Sequence, residues 1–179
     1  MRIPLMPVGI PAATTACALA FGIGSAAADP ADYNALLVNP NDVTDSTAYT
    51  ASAPVQNPNN QQGISAVYTH RDGTRQITET VLVLPDPAAA TTAMNSSQNE
   101  MASRIANEKT QPVQVGTGAT LLTGSSPDGT KSVSVLLFTQ GNAATTVEFD
   151  GPPADAAPTE FVVDLGQKQD AAIKNALWS

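Results

Sequence analysis

The sequence holds one cysteine, one histidine and one tryptophan, and only 8 Lys+Arg against 16 Asp+Glu. Each scarcity closes off a class of function. Cys17 lies inside the first apolar stretch, so no disulfide framework and no thiolate metal centre can form downstream of it. His70 is the only imidazole, which leaves zinc sites built from His and Cys without ligands. No metal and no cofactor is expected. The formal net charge of −8 gives a field of the wrong sign for nucleic acid or an anionic membrane surface. A phosphate loop is missing too, because Gly116-Thr117-Gly118 lacks the third glycine and the lysine. No G-x-S-x-G elbow presents a nucleophilic serine.

What is present begins with an export signal. Residues 1–28 carry one charge, Arg2, then an Ala-rich apolar run, then Ser25-Ala26-Ala27-Ala28 before the polar Asp29-Pro30. This is the pattern of a secretory leader, too short and too soon polar for a spanning helix. Cleavage after Ala28 leaves about 150 residues, enough for one domain with its own core. Cys17 reads as a small apolar residue within the leader. The competing reading is a lipid anchor, and it would turn a secreted protein into a tethered one.

Residues 29–63 read as a short helix near Pro30–Val38, a turn at Asn39-Pro40-Asn41-Asp42, and a polar loop over 44–63. The domain proper is expected at 64–179. Ile64–His70 and Arg75–Leu84 read as a hairpin about Arg71-Asp72-Gly73-Thr74. Asp86-Pro87 supplies a cap and a first-turn proline for a helix running to about Asn107. From Val113 to Asp150 three strands follow, turning at Pro127-Asp128-Gly129 and Gln140-Gly141-Asn142. In the second strand Val133, Val135 and Leu137 alternate with Ser132, Ser134 and Leu136, predicting one apolar and one mixed face. Thr145, Val147 and Phe149 alternate with Thr146, Glu148 and Asp150, whose acids are expected to face water. After Gly151-Pro152-Pro153 comes an amphipathic helix over about Pro158–Leu177. The expected fold is α+β, an antiparallel sheet of about five strands in the order β-β-α-β-β-β-α, covered by two helices.

Chemistry has few places to reside. His70, Arg71 and Arg75 form the only concentration of positive charge, beside the Asp-Gly turn. A serine hydrolase needs a base within reach of its nucleophile. His70 and Asp72 are available, but Ser125 and Ser126 sit in a turn before Pro127. Catalysis is therefore not expected, and no catalytic residue is assigned; a secreted hydrolase using His70 is the disfavoured alternative. Met94 and Met101 mark a thin stripe on the first helix, read as packing before pocket lining. The candidate contact residues for a ligand or partner are His70, Arg71, Arg75, Met94 and Met101.

The Ala-rich leader, Asp29-Pro30 and the closing Phe161-Val162-Val163-Asp164-Leu165-Gly166-Gln167-Lys168-Gln169 resemble small exported mycobacterial proteins. Ala35-Leu36-Leu37-Val38-Asn39-Pro40-Asn41-Asp42-Val43 is similar to the opening of the sensor-like extracellular domain of mycobacterial Ser/Thr kinases. The order of strands and helices is similar to the LpqN-type lipoproteins, with their PsbP/Mog1-like fold. Either resemblance implies a non-catalytic envelope domain that binds a ligand or a partner. The export signal, the missing catalytic constellation and the α+β pattern favour a lipid-like or glycolipid ligand held between a helix and the sheet over another envelope protein. The second possibility would work through the 44–63 loop or Trp178.

Overall fold

The computed structural model describes residues 32–178; the leader and Cys17 lie outside the described residues. One eight-stranded antiparallel sheet carries the chain: β1 (Tyr49–Ala51), β2 (Val55–Gln56), β3 (Gly63–His70), β4 (Gln76–Val83), β5 (Ala106–Pro112), β6 (Thr117–Ser125), β7 (Ser132–Gln140) and β8 (Ala143–Gly151). Two helices join it, α1 (Pro87–Arg104) between β4 and β5 and α2 (Thr159–Trp178) at the end. The sheet runs β1-β3-β4-β8-β7-β6-β5, with β2 pairing farther along β3.

The α+β class stands, but the strand count of about five does not: the described residues hold eight. Two of the additional strands, β1 and β2, lie in the stretch read as a loop. They are short and mostly exposed edge pieces, so no apolar alternation marks them. The third, β5, follows α1 at once. The helix stops at Arg104 rather than near Asn107, and Ile105 is already extended. Its sequence Ala-Asn-Glu-Lys-Thr-Gln-Pro is polar because β5 is the other edge of the sheet, and its one buried flank is supplied by Ile105. Charges and a proline are common guards on such an edge.

The two helices lie on opposite faces. Val133, Val135 and Leu137 of β7 join Ala90 and Met94 of α1 in one core, while Leu136 and Phe138 join Val162, Leu165 and Ile173 of α2 in the other. The mixed face expected for β7 is therefore also buried, since every residue from Ser132 to Thr139 is covered. Glu148 likewise turns toward the α1 side and is only partly exposed, so the expectation that it faces water gives way to partial burial.

The local signals held where they were strong. Ala89 N–H donates to Asp86 Oδ1 at 2.8 Å with Pro87 in the first turn, so the helix starts where the capping pair placed it. Gly73, Gly129 and Gly141 take the positive φ that their hairpins require. In the N-terminal stretch Asn34–Leu36 and Pro40–Asp42 form single helical turns; Leu36 and Val38 are buried in the α2-side core, and Ala48 is buried as well.

Candidate functional site

The hairpin between β3 and β4 brings His70, Asp72 and Arg75 together. His70 N–H donates to Arg75 O at 2.9 Å and Gly73 N–H to His70 O at 2.8 Å, closing the turn. His70 Nδ1 lies 2.8 Å from Asp72 Oδ1. A hydrogen bond between the two places a proton on Nδ1. Asp72 also accepts from Thr74 N–H at 2.8 Å and the Thr74 hydroxyl at 2.7 Å. The Thr74 amide first, then His70 and the Thr74 hydroxyl, hold the Asp72 carboxyl well below the usual carboxylate range. Arg75 reaches Asp72 Oδ2 at 3.0 Å and, with its other terminal nitrogen, Asp155 in the link between β8 and α2.

An aromatic wall adjoins this network. Pairing of β1 with β3 sets Tyr49 opposite His70. Asn41 fixes the strand there: Tyr49 N–H donates to Asn41 Oδ1 at 2.8 Å, and Asn41 Nδ2 donates to Tyr49 O at 2.9 Å. The Tyr49 ring meets His70 edge-on, with centroids 5.2 Å apart, and lies parallel to Phe161 of α2 at 6.5 Å. Phe161 in turn meets Phe149 of β8 edge-on at 5.9 Å. Burial pushes the Tyr49 phenol up from its ordinary value.

The wall, together with His70, Arg75 and Asp155 of the network, lines one cleft of about 480 Å³, with Ile77 also on its surface and Glu160 and Asp164 from the first turns of α2. This volume falls in the range of small-molecule sites, about 300–1,000 Å³. The cleft can hold an apolar group against three rings while offering a hydrogen-bonding edge at His70 and Arg75. It does not bring a serine to His70, because none lines it. Ser125 ends β6 and Ser126 follows it, four strands from β3, or roughly 20 Å at the usual strand spacing.

The five candidate residues do not form one site. His70 and Arg75 line the cleft. Arg71 instead pairs with Asp45 at 2.9 Å on the surface. Met94 is buried under α1, and Met101 lines a separate hollow of about 280 Å³ with Arg104, Lys131 and Glu148. Both methionines belong to the α1 side of the sheet, whereas His70 shares the α2 side with Tyr68. Sequence reasoning missed Tyr49, Asp155 and the site role of Phe149 and Phe161. A usable signal existed: three of the chain's few aromatic rings stand at element ends that the topology gathers at one end of the sheet. Among the described residues there is no group of three or more His, Cys, Asp or Glu placed to hold a metal ion. Nor is any helix there long and apolar enough to cross a membrane.

No family and no curated protein matches this sequence. In structure the chain is similar to the extracellular domain of PknH from Mycobacterium tuberculosis, at a TM-score of 0.58 and 12% identity, over 82% of this chain and 98% of that one. A GTP-binding regulator from Thermotoga maritima aligns at a TM-score of 0.39 and 12% identity, over 72% and 85% of the two chains. At 12% identity the first likeness is one of fold.

Proposed function

We propose that this chain is an exported, non-catalytic binding domain of the cell envelope, and that its cleft takes a lipid-like or glycolipid ligand. The observation that carries the reading is the aromatic wall of Tyr49, Phe161 and Phe149 beside a fixed polar edge. Such a cleft suits a ligand with one apolar part and one hydroxylated part. His70 then orients a ligand through its ring edge, with no nucleophile to activate.

The fold shared with the extracellular domain of PknH supports a sensor-type role outside the cytoplasm, reached through the leader at 1–28. The other resemblance, to the LpqN-type lipoproteins, would place the chain in the same compartment, secreted or envelope-held.

The test is a titration of the 29–179 protein with octyl β-glucoside below its micelle concentration, followed by amide NMR. Shifts confined to Tyr49, His70, Phe149 and Phe161, weakened tenfold or more by Phe161→Ala, are expected. Shifts scattered over the surface, or none, overturn the lipid and glycolipid reading.

A second reading, a protein-binding module, is favoured by Val55, which is 57% exposed on the short strand β2. Val55→Asp would abolish capture of an envelope partner on that reading and leave the glycoside titration untouched.

A further inference from the structure

Glu79 is the one carboxylate of β4 that points into the α2-side core, and it is fully buried. Its Oε2 accepts the Val38 amide at 3.3 Å. Its Oε1 has no partner. Across the ladder its neighbours are Ala66 of β3 and Val147 of β8. Tyr68 of β3 brings its phenol against the same carboxyl, and Asp42 acts in turn on Tyr68. From α2 comes Gln169, also fully buried, whose amide donates to the Leu36 carbonyl and whose Oε1 is likewise unpartnered. No cation acts on Glu79.

Two buried polar side chains thus grip one short segment at two points, Gln169 at the Leu36 carbonyl and Glu79 at the Val38 amide. The segment leads through Val43 and Ala48 into Tyr49, and these residues line the cleft. We propose that Glu79 is a proton-operated latch: in its neutral form it holds Leu36–Val38 on the sheet, and on ionising it releases that segment and loosens the cleft wall that continues from it. The latch stands on its own geometry, whatever ligand the cleft takes.

The chemistry follows from burial. A carboxylate enclosed without a cation is costly, so the proton stays on, and burial pushes the group up to about 8. Once the proton leaves, the charge needs water. β3, β4 and β8 are locked in continuous ladders, whereas 37–38 is irregular chain after the single helical turn that ends at Leu36. The segment is therefore the part that gives way, as a local opening.

The experiment is amide exchange by NMR on the 29–179 protein, expressed as protection factors corrected for intrinsic base catalysis, from about pH 6 to about pH 9.5. One released proton gives up to about a tenfold fall per pH unit. Protection at Leu36, Leu37 and Val38 is expected to fall at that rate as the pH rises to about 8 and to level off above it, while Leu136 in β7 stays constant. In Glu79→Gln the fall should vanish. A flat wild-type profile, the same fall in Glu79→Gln, or a parallel fall at Leu136 overturns the latch. If Glu79→Gln does not fold, the carboxyl carbon of Glu79 is titrated in the wild type: a midpoint above about 7 supports the latch, and one at or below about 7 overturns it.

Discussion

Gly166 of α2 rests directly on Leu136 of β7, so that a Cβ added at Gly166 would overlap Leu136 Cδ2 and crowd both methyls of Val115 at 3.2 Å. Glycine in mid-helix is normally a liability, yet here it sets how closely the helix approaches the sheet. Two opposed effects meet in Gly166→Ala. Alanine favours a helix over glycine by about 1 kcal/mol, whereas overpacking a buried contact costs about 1–3 kcal/mol. The overlap should win, giving a net loss of about 1 kcal/mol in urea unfolding, and Gly166→Leu should lose several times more. A Gly166→Ala protein more stable than wild type would contradict the close approach.

At the start of α1 the cap is a single hydrogen bond, from Ala89 N–H to Asp86. Asp86→Ala should cost about 1 kcal/mol, and Asp86→Ser should recover most of it, because a hydroxyl can accept the same amide proton. Equal losses for both variants in chemical denaturation would assign the cost to something other than the cap.

The parts of the fold that sequence made legible are those where pattern and burial coincide. β3, β4, β7 and β8 alternate or run apolar because at least one of their faces meets a helix, and their hairpins need glycine at positive φ. Edge strands have no such constraint: β5 reads Ala-Asn-Glu-Lys-Thr-Gln-Pro because water covers it, so periodicity is silent there. The candidate site was legible only at His70 and Arg75, which share a hairpin. Tyr49, Phe149, Asp155 and Phe161 come from four other places, and what gathers them is strand order, which no local signal encodes. Glu79 was unreadable for a related reason, since its position in an alternating strand is the same as that of the hydrophobic residues around it.

Stability should peak in mildly acidic solution. Glu79 is raised to about 8 from an ordinary 4.5, with burial the first cause, so its contribution is complete below about pH 4.5 and is lost as pH rises to about 8. Glu148, raised mainly by burial, adds in the same direction. Asp72 and Asp128 are lowered, Asp128 to about 2 by its Ser126 and Thr130 hydrogen bonds, so their contributions are present above about 3.8 and fade on acidification. The two trends leave a maximum near pH 4–5 in a series of thermal melts. Glu79→Gln should flatten the alkaline limb and leave the acid limb alone. A wild-type maximum at neutral pH would show that the buried carboxyl does not dominate.

The cleft should reject anions, although it contains Arg75. Both terminal nitrogens of that guanidinium are committed, one to Asp72 and one to Asp155. Asp150, Glu160 and Asp164 line the same cleft and make its field negative. An octyl phosphate should therefore bind at least tenfold more weakly than the neutral octyl glucoside of equal tail length, since the apolar contact is the same and only the head differs. Asp155→Asn tests the cause. It keeps the shape of the side chain but removes the charge that neutralises Arg75, so phosphate affinity should rise several-fold while glucoside affinity stays constant. Because the Arg75–Asp155 pair is partly exposed, the fold itself should lose no more than about 1 kcal/mol. Should the phosphate bind the wild type as well as the glucoside does, the acids of the cleft are not setting its selectivity, and Arg75 is free in solution to meet an anionic head group.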